Sequence, residues 1–198
     1  MRIFRRIKMN GGMTYVELIV VLSIFAVLST VSIYNYGIFE SSIDIKNLAS
    51  DIALQVVQAQ NSSLNGLLPP AGYNYDPVDW KPAYGVYFDI STPKQFIYFV
   101  DLSNSTNGYD IGEDLNTFSI VKGNNYISRI DKCNNDVCAE SISSLSITFR
   151  RPDSGAIFSD AGGARLDDFD YAQITVASPK EKIIAKIKLY PSGRVQIN

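Results

Sequence analysis

The sequence predicts an α+β protein: one long N-terminal helix, half membrane-spanning and half amphipathic, packed on a C-terminal antiparallel β-rich domain. Three observations predict it. Residues 18–39, LIVVLSIFAVLSTVSIYNYGIF, carry no charge. Residues 44–59 then change to an apolar period of three and four, and beyond Pro69-Pro70 the period falls to two. The chain has 198 residues, 46% of them apolar, enough for one membrane segment and one soluble core.

The uncharged run comes first. A helix needs about 20 apolar residues to cross the hydrocarbon core, so residues 18–39 can span a membrane. Arg2, Arg5, Arg6 and Lys8 precede the run, and no base immediately follows it. The positive-inside rule therefore keeps the N-terminus in the cytoplasm and sends the bulk of the chain across the membrane. A secretory signal would be shorter and end in small residues, whereas this run continues into a further helical pattern. Glu17 is the misfit, a carboxylate at the head of the apolar segment. Ionisable groups in such places are costly and are functional candidates by default. An ordinary signal anchor with Glu17 at the headgroup boundary is the bland alternative.

Beyond the span, Ile45, Leu48, Ile52, Val56 and Ala59 recur at helical spacing among Asp44, Lys46, Asn47, Ser50, Asp51, Gln55 and Gln58. That is an amphipathic helix whose stripe packs on its own domain. Gly66 is placed for a C-terminal cap and the two prolines prevent continuation, so one helix is expected over residues 13–65, roughly 80 Å long. The only weak point inside it is Asn35-Tyr36-Gly37.

Eight strands are expected, over residues 84–90, 94–100, 116–121, 126–131, 144–150, 171–177, 182–190 and 194–197. Turn signals such as Asn107-Gly108, Asp153-Ser154-Gly155 and Pro191-Ser192-Gly193 separate them. Such short connections suit an antiparallel meander rather than βαβ units.

Composition narrows the function. The chain contains no histidine, which removes the commonest general base and most zinc sites. Asp160, Asp167, Asp168 and Asp170 sit in a loop-like setting without a pocket signature, and no enzymatic activity is expected. Net charge is −2, and removing the four leader bases leaves 14 basic against 20 acidic residues, a charge of −6. That sign argues against nonspecific nucleic-acid binding by the chain as a whole.

The segment NGGMTYVELIVVLSIFAVLS resembles the class III signal of type IV pilins and type II secretion pseudopilins. A short basic leader ends in Gly12, the hydrophobic Met13 follows, and Glu17 falls on the family's glutamate. The resemblance implies a leader of residues 1–12, cleavage after Gly12 by the membrane prepilin peptidase, and N-methylation of Met13 by the same enzyme. It implies assembly through the hydrophobic helix, with Glu17 pairing to the Met13 ammonium of a neighbouring subunit. Such a pair rewards the correct register, because an unpaired buried charge is expensive. This chain departs from the commonest pattern in carrying Met rather than Phe after the cleavage point and in lacking a helix proline.

The family's organisation implies a helix over residues 13–65, its membrane part at about 14–39, and a pilin-like head over 66–198. The head more loosely resembles H-type minor pseudopilins and FimT-like minor pilins, through LASDIALQVVQAQNSSLNG, FRRPDSGAIF and the terminal YPSGRVQI. The implied partners are prepilin peptidase, other pilin or pseudopilin subunits, an inner-membrane assembly platform and membrane lipid. The implied location is the cytoplasmic membrane and then an extracytoplasmic pilus or pseudopilus. A tip adhesin or a DNA-capturing competence pilin is the alternative role.

Four candidate sites complete the reading. Cys133 and Cys138 enclose Asn134-Asn135-Asp136-Val137, a segment easily closed into a disulfide outside the cytoplasm, with free thiols or a metal site as the alternatives. So short a ring would contribute about 2 kcal/mol. Asp101, Asp110, Glu113 and Asp114, with Ser103 and Ser105, form an oxygen-rich loop of a kind that wraps Ca²⁺. Its spacing does not match an EF-hand, since Thr106 and Gly112 fall on the sixth and twelfth positions, and a solvated loop is the competing reading. Lys182, Lys186, Lys188 and Arg194, with Lys180, could contact DNA phosphates, although Ile183, Ile184, Ala185 and Ile187 point to a strand with an ordinary charged face. Trp80 is expected to anchor the core or a hinge.

Overall fold

The computed structural model describes residues 12–73, 82–102, 108–179 and 181–198. The leader before Gly12, Trp80, Ser103, Ser105, Thr106 and Lys180 lie outside the described residues.

One helix, α1, runs unbroken from Tyr15 to Leu64 through Asn35-Tyr36-Gly37. Thr14 starts it: its Oγ1 accepts the Glu17 amide at 3.3 Å, and its carbonyl accepts the Leu18 amide at 3.1 Å. Gly66 ends it with φ +63°, as the Leu67 amide bonds the Ser62 carbonyl and the Gly66 amide the Ser63 carbonyl. Those two bonds make a Schellman cap, which satisfies carbonyls the last turn would orphan. The division into compact units falls inside this helix, between Glu40 and Ser41.

In the first unit the helix is apolar all round. Its apolar stretch is unburied, and the helix is long and apolar enough to cross a membrane.

In the second unit the remainder of the helix and ten strands share one core, and the layout is α+β with antiparallel pairing throughout. The strands are β1 (Ala83–Asp89), β2 (Gln95–Asp101), β3 (Asp114–Ser119), β4 (Tyr126–Asn134) and β5 (Val137–Ser141). They continue with β6 (Ser144–Phe149), β7 (Ala156–Ser159), β8 (Tyr171–Ala177), β9 (Ile184–Leu189) and β10 (Val195–Ile197). One sheet has the order β3-β2-β1-β6-β7 and the other β10-β9-β8-β4-β5. Ile45, Ala49, Ile52, Val56 and Ala59 of the helix join Val86, Phe88, Ile147, Ile174 and Ile187 of the sheets in the core.

Two corrections to the strand pattern follow. There are ten described strands rather than eight, because β5 and β7 were not anticipated. The strands also do not form a single meander: β4 and β5 belong to the second sheet yet precede β6 of the first. β5 has no buried residue and β7 has only four residues, so neither carries a hydrophobic alternation to read.

The first sheet is covered on its outer side as well. β6 is buried at every position, its Leu145, Ile147 and Phe149 in the main core. Opposite them, the Ser146 hydroxyl accepts the Tyr109 amide at 3.1 Å, and Tyr109 stacks on Tyr87 with ring centroids 4.9 Å apart. Gly85 admits the Phe99 ring there. A Cβ at Gly85 would lie 2.6 Å from both the Phe99 ring and the Ile147 carbonyl oxygen.

Candidate functional site

The N-terminal site is short and open. Gly12, Met13 and Thr14 are non-helical and exposed, and Tyr15 begins the helix. Glu17 is therefore in the first turn, where a carboxylate faces the positive end of the helix dipole. Thr14 and Glu17 also have the spacing of a capping box, Thr-x-x-Glu, a helix-start signal that sequence reasoning passed over. From Leu18 to Phe39 no further charge occurs, and Leu18, Ile19, Val20, Val21 and Leu22 are each about half exposed, at 44–56%.

Cys133 and Cys138 form a disulfide across β4 and β5, where they are cross-strand partners. The connecting turn has two residues, Asn135 and Asp136, both at positive φ (49° and 61°). Asn and Asp tolerate that conformation, and the twist of such turns matches the flanking strands. The tip of this hairpin is tied down: Asp136 Oδ1 accepts the Tyr171 hydroxyl at 3.0 Å and the Lys188 ammonium at 2.9 Å. Lys188 also lies 4.3 Å from the Tyr171 ring centroid. Hydrogen bonds from Lys188 and then Tyr171 hold the Asp136 carboxyl below its ordinary range. Tyr171 and then Asp136 hold the Lys188 ammonium above its own.

The oxygen-rich loop does not gather its carboxylates. Glu113 turns inward, its Oε1 accepting the Leu102 amide at 2.8 Å and its Oε2 the Asp110 amide at 3.0 Å. Asp101 is fully buried with Arg150 Nη2 3.5 Å away. Asp114 begins β3, where its carbonyl accepts the Tyr73 hydroxyl. Among the described residues, no three Asp, Glu, Cys or His side chains are grouped so as to hold a metal ion. Two of the loop's acids, Glu113 and Asp101, thus have their carboxylates engaged within the head.

The basic C-terminal residues differ in their partners. Lys188 is paired with Asp136, and the Arg194 guanidinium lies 4.0 Å from the centroid of the Tyr190 ring. Lys186 is exposed on the outer face of β9, between the buried Ala185 and Ile187, and Lys182 is exposed ahead of that strand. Sequence reasoning placed these bases on a charged strand face but missed Asp136, which is distant in sequence and near only because the hairpin folds over β8 and β9. Of the loop aspartates, Asp160 accepts the Gly162 and Ala164 amides and Asp167 pairs with Arg165.

No protein-family model, curated protein or solved structure matches the chain.

Proposed function

We propose that the chain is a pilin-like structural subunit of a type IV pilus or type II secretion pseudopilus, a minor subunit of H type. It is inserted as a single-pass precursor and cut after Gly12. It is then methylated at Met13 and added to a filament through its apolar helix. The observation that carries this reading is Glu17 itself: one carboxylate, five residues beyond Gly12, in the first turn of a helix otherwise uncharged through Phe39.

The local geometry suits each step. Gly12 and Met13 precede the helix, so a peptidase can take the bond in extended form without unwinding a turn. Cutting there leaves the Thr14 cap in place. It also creates an ammonium at Met13, at the helix end where a cation is disfavoured by the dipole. A neighbour's Glu17 neutralises it. In a bundle of apolar helices the two charges meet only in one register, and misaligned docking leaves both unpaired. The head, with its disulfide and double-sheet core, stays outside the membrane.

Intact mass and N-terminal sequencing of the membrane-extracted protein test the reading. The expected product begins at N-methyl-Met13. An uncut Met1 in cells with active prepilin peptidase would overturn it. Glu17→Ala is expected to leave cleavage intact and to remove most of the subunit from sheared filaments, whereas normal incorporation would refute the register role.

A further inference from the structure

A concavity of about 630 Å³ lies on the outer face of the second sheet, on the scale of a small-ligand site. A local irregularity builds it. The register of β4 against β8 slips between Ile127 and Arg129, which makes Ser128 the extra residue of a β-bulge. Ile127 and Ile130 both face the core, at 1% and 0% exposure, and the inserted residue is what turns Arg129 outward between them. Without it, strict alternation would put Arg129 on the core side.

Arg129 is then held in place. Its Nε donates to both oxygens of Asp131, at 2.8 and 2.9 Å, and Asp131 is itself only 1% exposed. The bond uses Nε, and among the described residues the two terminal nitrogens of this side chain, 57% exposed, have no hydrogen-bond acceptor, which leaves the fork that carboxylates fit. Thr175 is the cross-strand partner of Arg129 on one side and of Lys186 on the other. Arg129 and Lys186 thus flank one hydroxyl across three strands, backbones roughly 10 Å apart, a span two long side chains close over a single anion. Lys186 has no ion-pair partner among the described residues.

The surroundings select the kind of anion. Arg129, Lys186 and Lys188 line the concavity, but so do Asp131, Asp136 and Glu181, and the whole is close to neutral. A polyanion such as DNA would carry successive phosphates past Asp136 and Glu181. A ligand with one carboxylate and several hydroxyls meets no such conflict, because the acids accept from hydroxyl groups and the Gln173 amide can both accept from and donate to them. We propose that this face binds an acidic sugar, a uronic or sialic acid unit, with its carboxylate between Arg129 and Lys186 over Thr175. The site stands independently of the assembly reading above.

The test uses the full chain in detergent micelles, unassembled, so that a failure of processing or polymerisation does not enter. Calorimetric titrations with D-glucuronate and N-acetylneuraminate separate the two sugar sources, with D-glucose, inorganic phosphate and a short oligodeoxynucleotide as contrasts. Saturable binding of at least one acid is expected, with glucose at least about tenfold weaker, the effect of one charge-assisted contact. Lys186→Gln is expected to weaken that binding about tenfold, and Lys182→Gln to leave it unchanged. Absence of saturable binding by both acids, equal binding of glucose, tighter binding of phosphate or the oligonucleotide, or wild-type affinity in Lys186→Gln would each overturn the proposal.

Discussion

Residues 15–39 and 43–64 belong to one unbroken helix, yet they are built for different surroundings. In the first stretch, apolar side chains are exposed on every face. In the second, only Ile45, Ala49, Ile52, Val56 and Ala59 are apolar and buried, and Asp44, Lys46, Asp51 and Gln58 occupy other faces. The backbone is the same in both. An all-round apolar surface requires an apolar solvent or other such helices, whereas a stripe requires one sheet face. The partner of a helix is thus written in the angular spread of its apolar residues.

Truncating Ile52, which has no exposure, is expected to have the largest effect on this contrast. Ile52→Ala should lose about 3 kcal/mol of head stability in urea titration, and Ile24→Ala, in the apolar half, should lose none of it. Equal losses would break the distinction between the halves. Adding a charge reverses the pattern. Val21→Lys is expected to cost about 3 kcal/mol of membrane insertion, read as protein lost from the carbonate-resistant membrane fraction. Leu54→Lys, at a position 60% exposed, should shift head stability by no more than about 0.5 kcal/mol.

A smaller change sharpens where the second half ends. Gly66 sits at φ +63° against the Arg151 side chain, and Gly66→Ala should cost about 1 kcal/mol through the backbone alone. Gly66→Ala combined with Arg151→Ala separates that backbone cost from the crowding. The smallest effect belongs to the hairpin tip, remote from the helix. Asp136 has a lowered carboxyl pKa, so its contribution is present above the ordinary value of about 3.9 and is lost as pH falls through the lower folded value. Lys188 is raised, so its contribution is complete below about 10.4 and is lost only at higher pH. The difference in melting temperature between wild type and Asp136→Asn should therefore be flat from about pH 5 to 9 and shrink below about pH 4.

What the sequence made legible follows from how local each signal is. The helix, its Gly66 cap, the membrane-length run and the Cys133–Cys138 closure depend on residues near one another in the chain. β5 and β7 escaped because neither carries an alternation of buried and exposed residues. Thr14-x-x-Glu17 is equally local, a helix-start spacing carried by the same residue whose charge marks the segment. The acidic loop and the basic strand were read by residue type, but their use is decided by long-range neighbours. Glu113 turns to two backbone amides, and Lys188 to an aspartate at the tip of a hairpin. The bulge at Ser128, which aims Arg129, leaves no mark in composition.

The interleaving of the two sheets governs the order in which the head can be completed. Tyr84 pairs with Phe149, and between them the chain must already have supplied β4 and β5 to the other sheet. β4 in turn waits for β8, with Tyr126 opposite Ala177. A chain emerging N-terminus first therefore presents β1, β2 and β3 as a three-strand fragment with an open edge. Neither sheet can finish until most of the polypeptide has arrived. Such non-local pairings are slow to form and leave strand edges available to strangers in the meantime. The head consequently closes late and as a whole, so that a chain interrupted midway yields two unfinished sheets instead of one completed half.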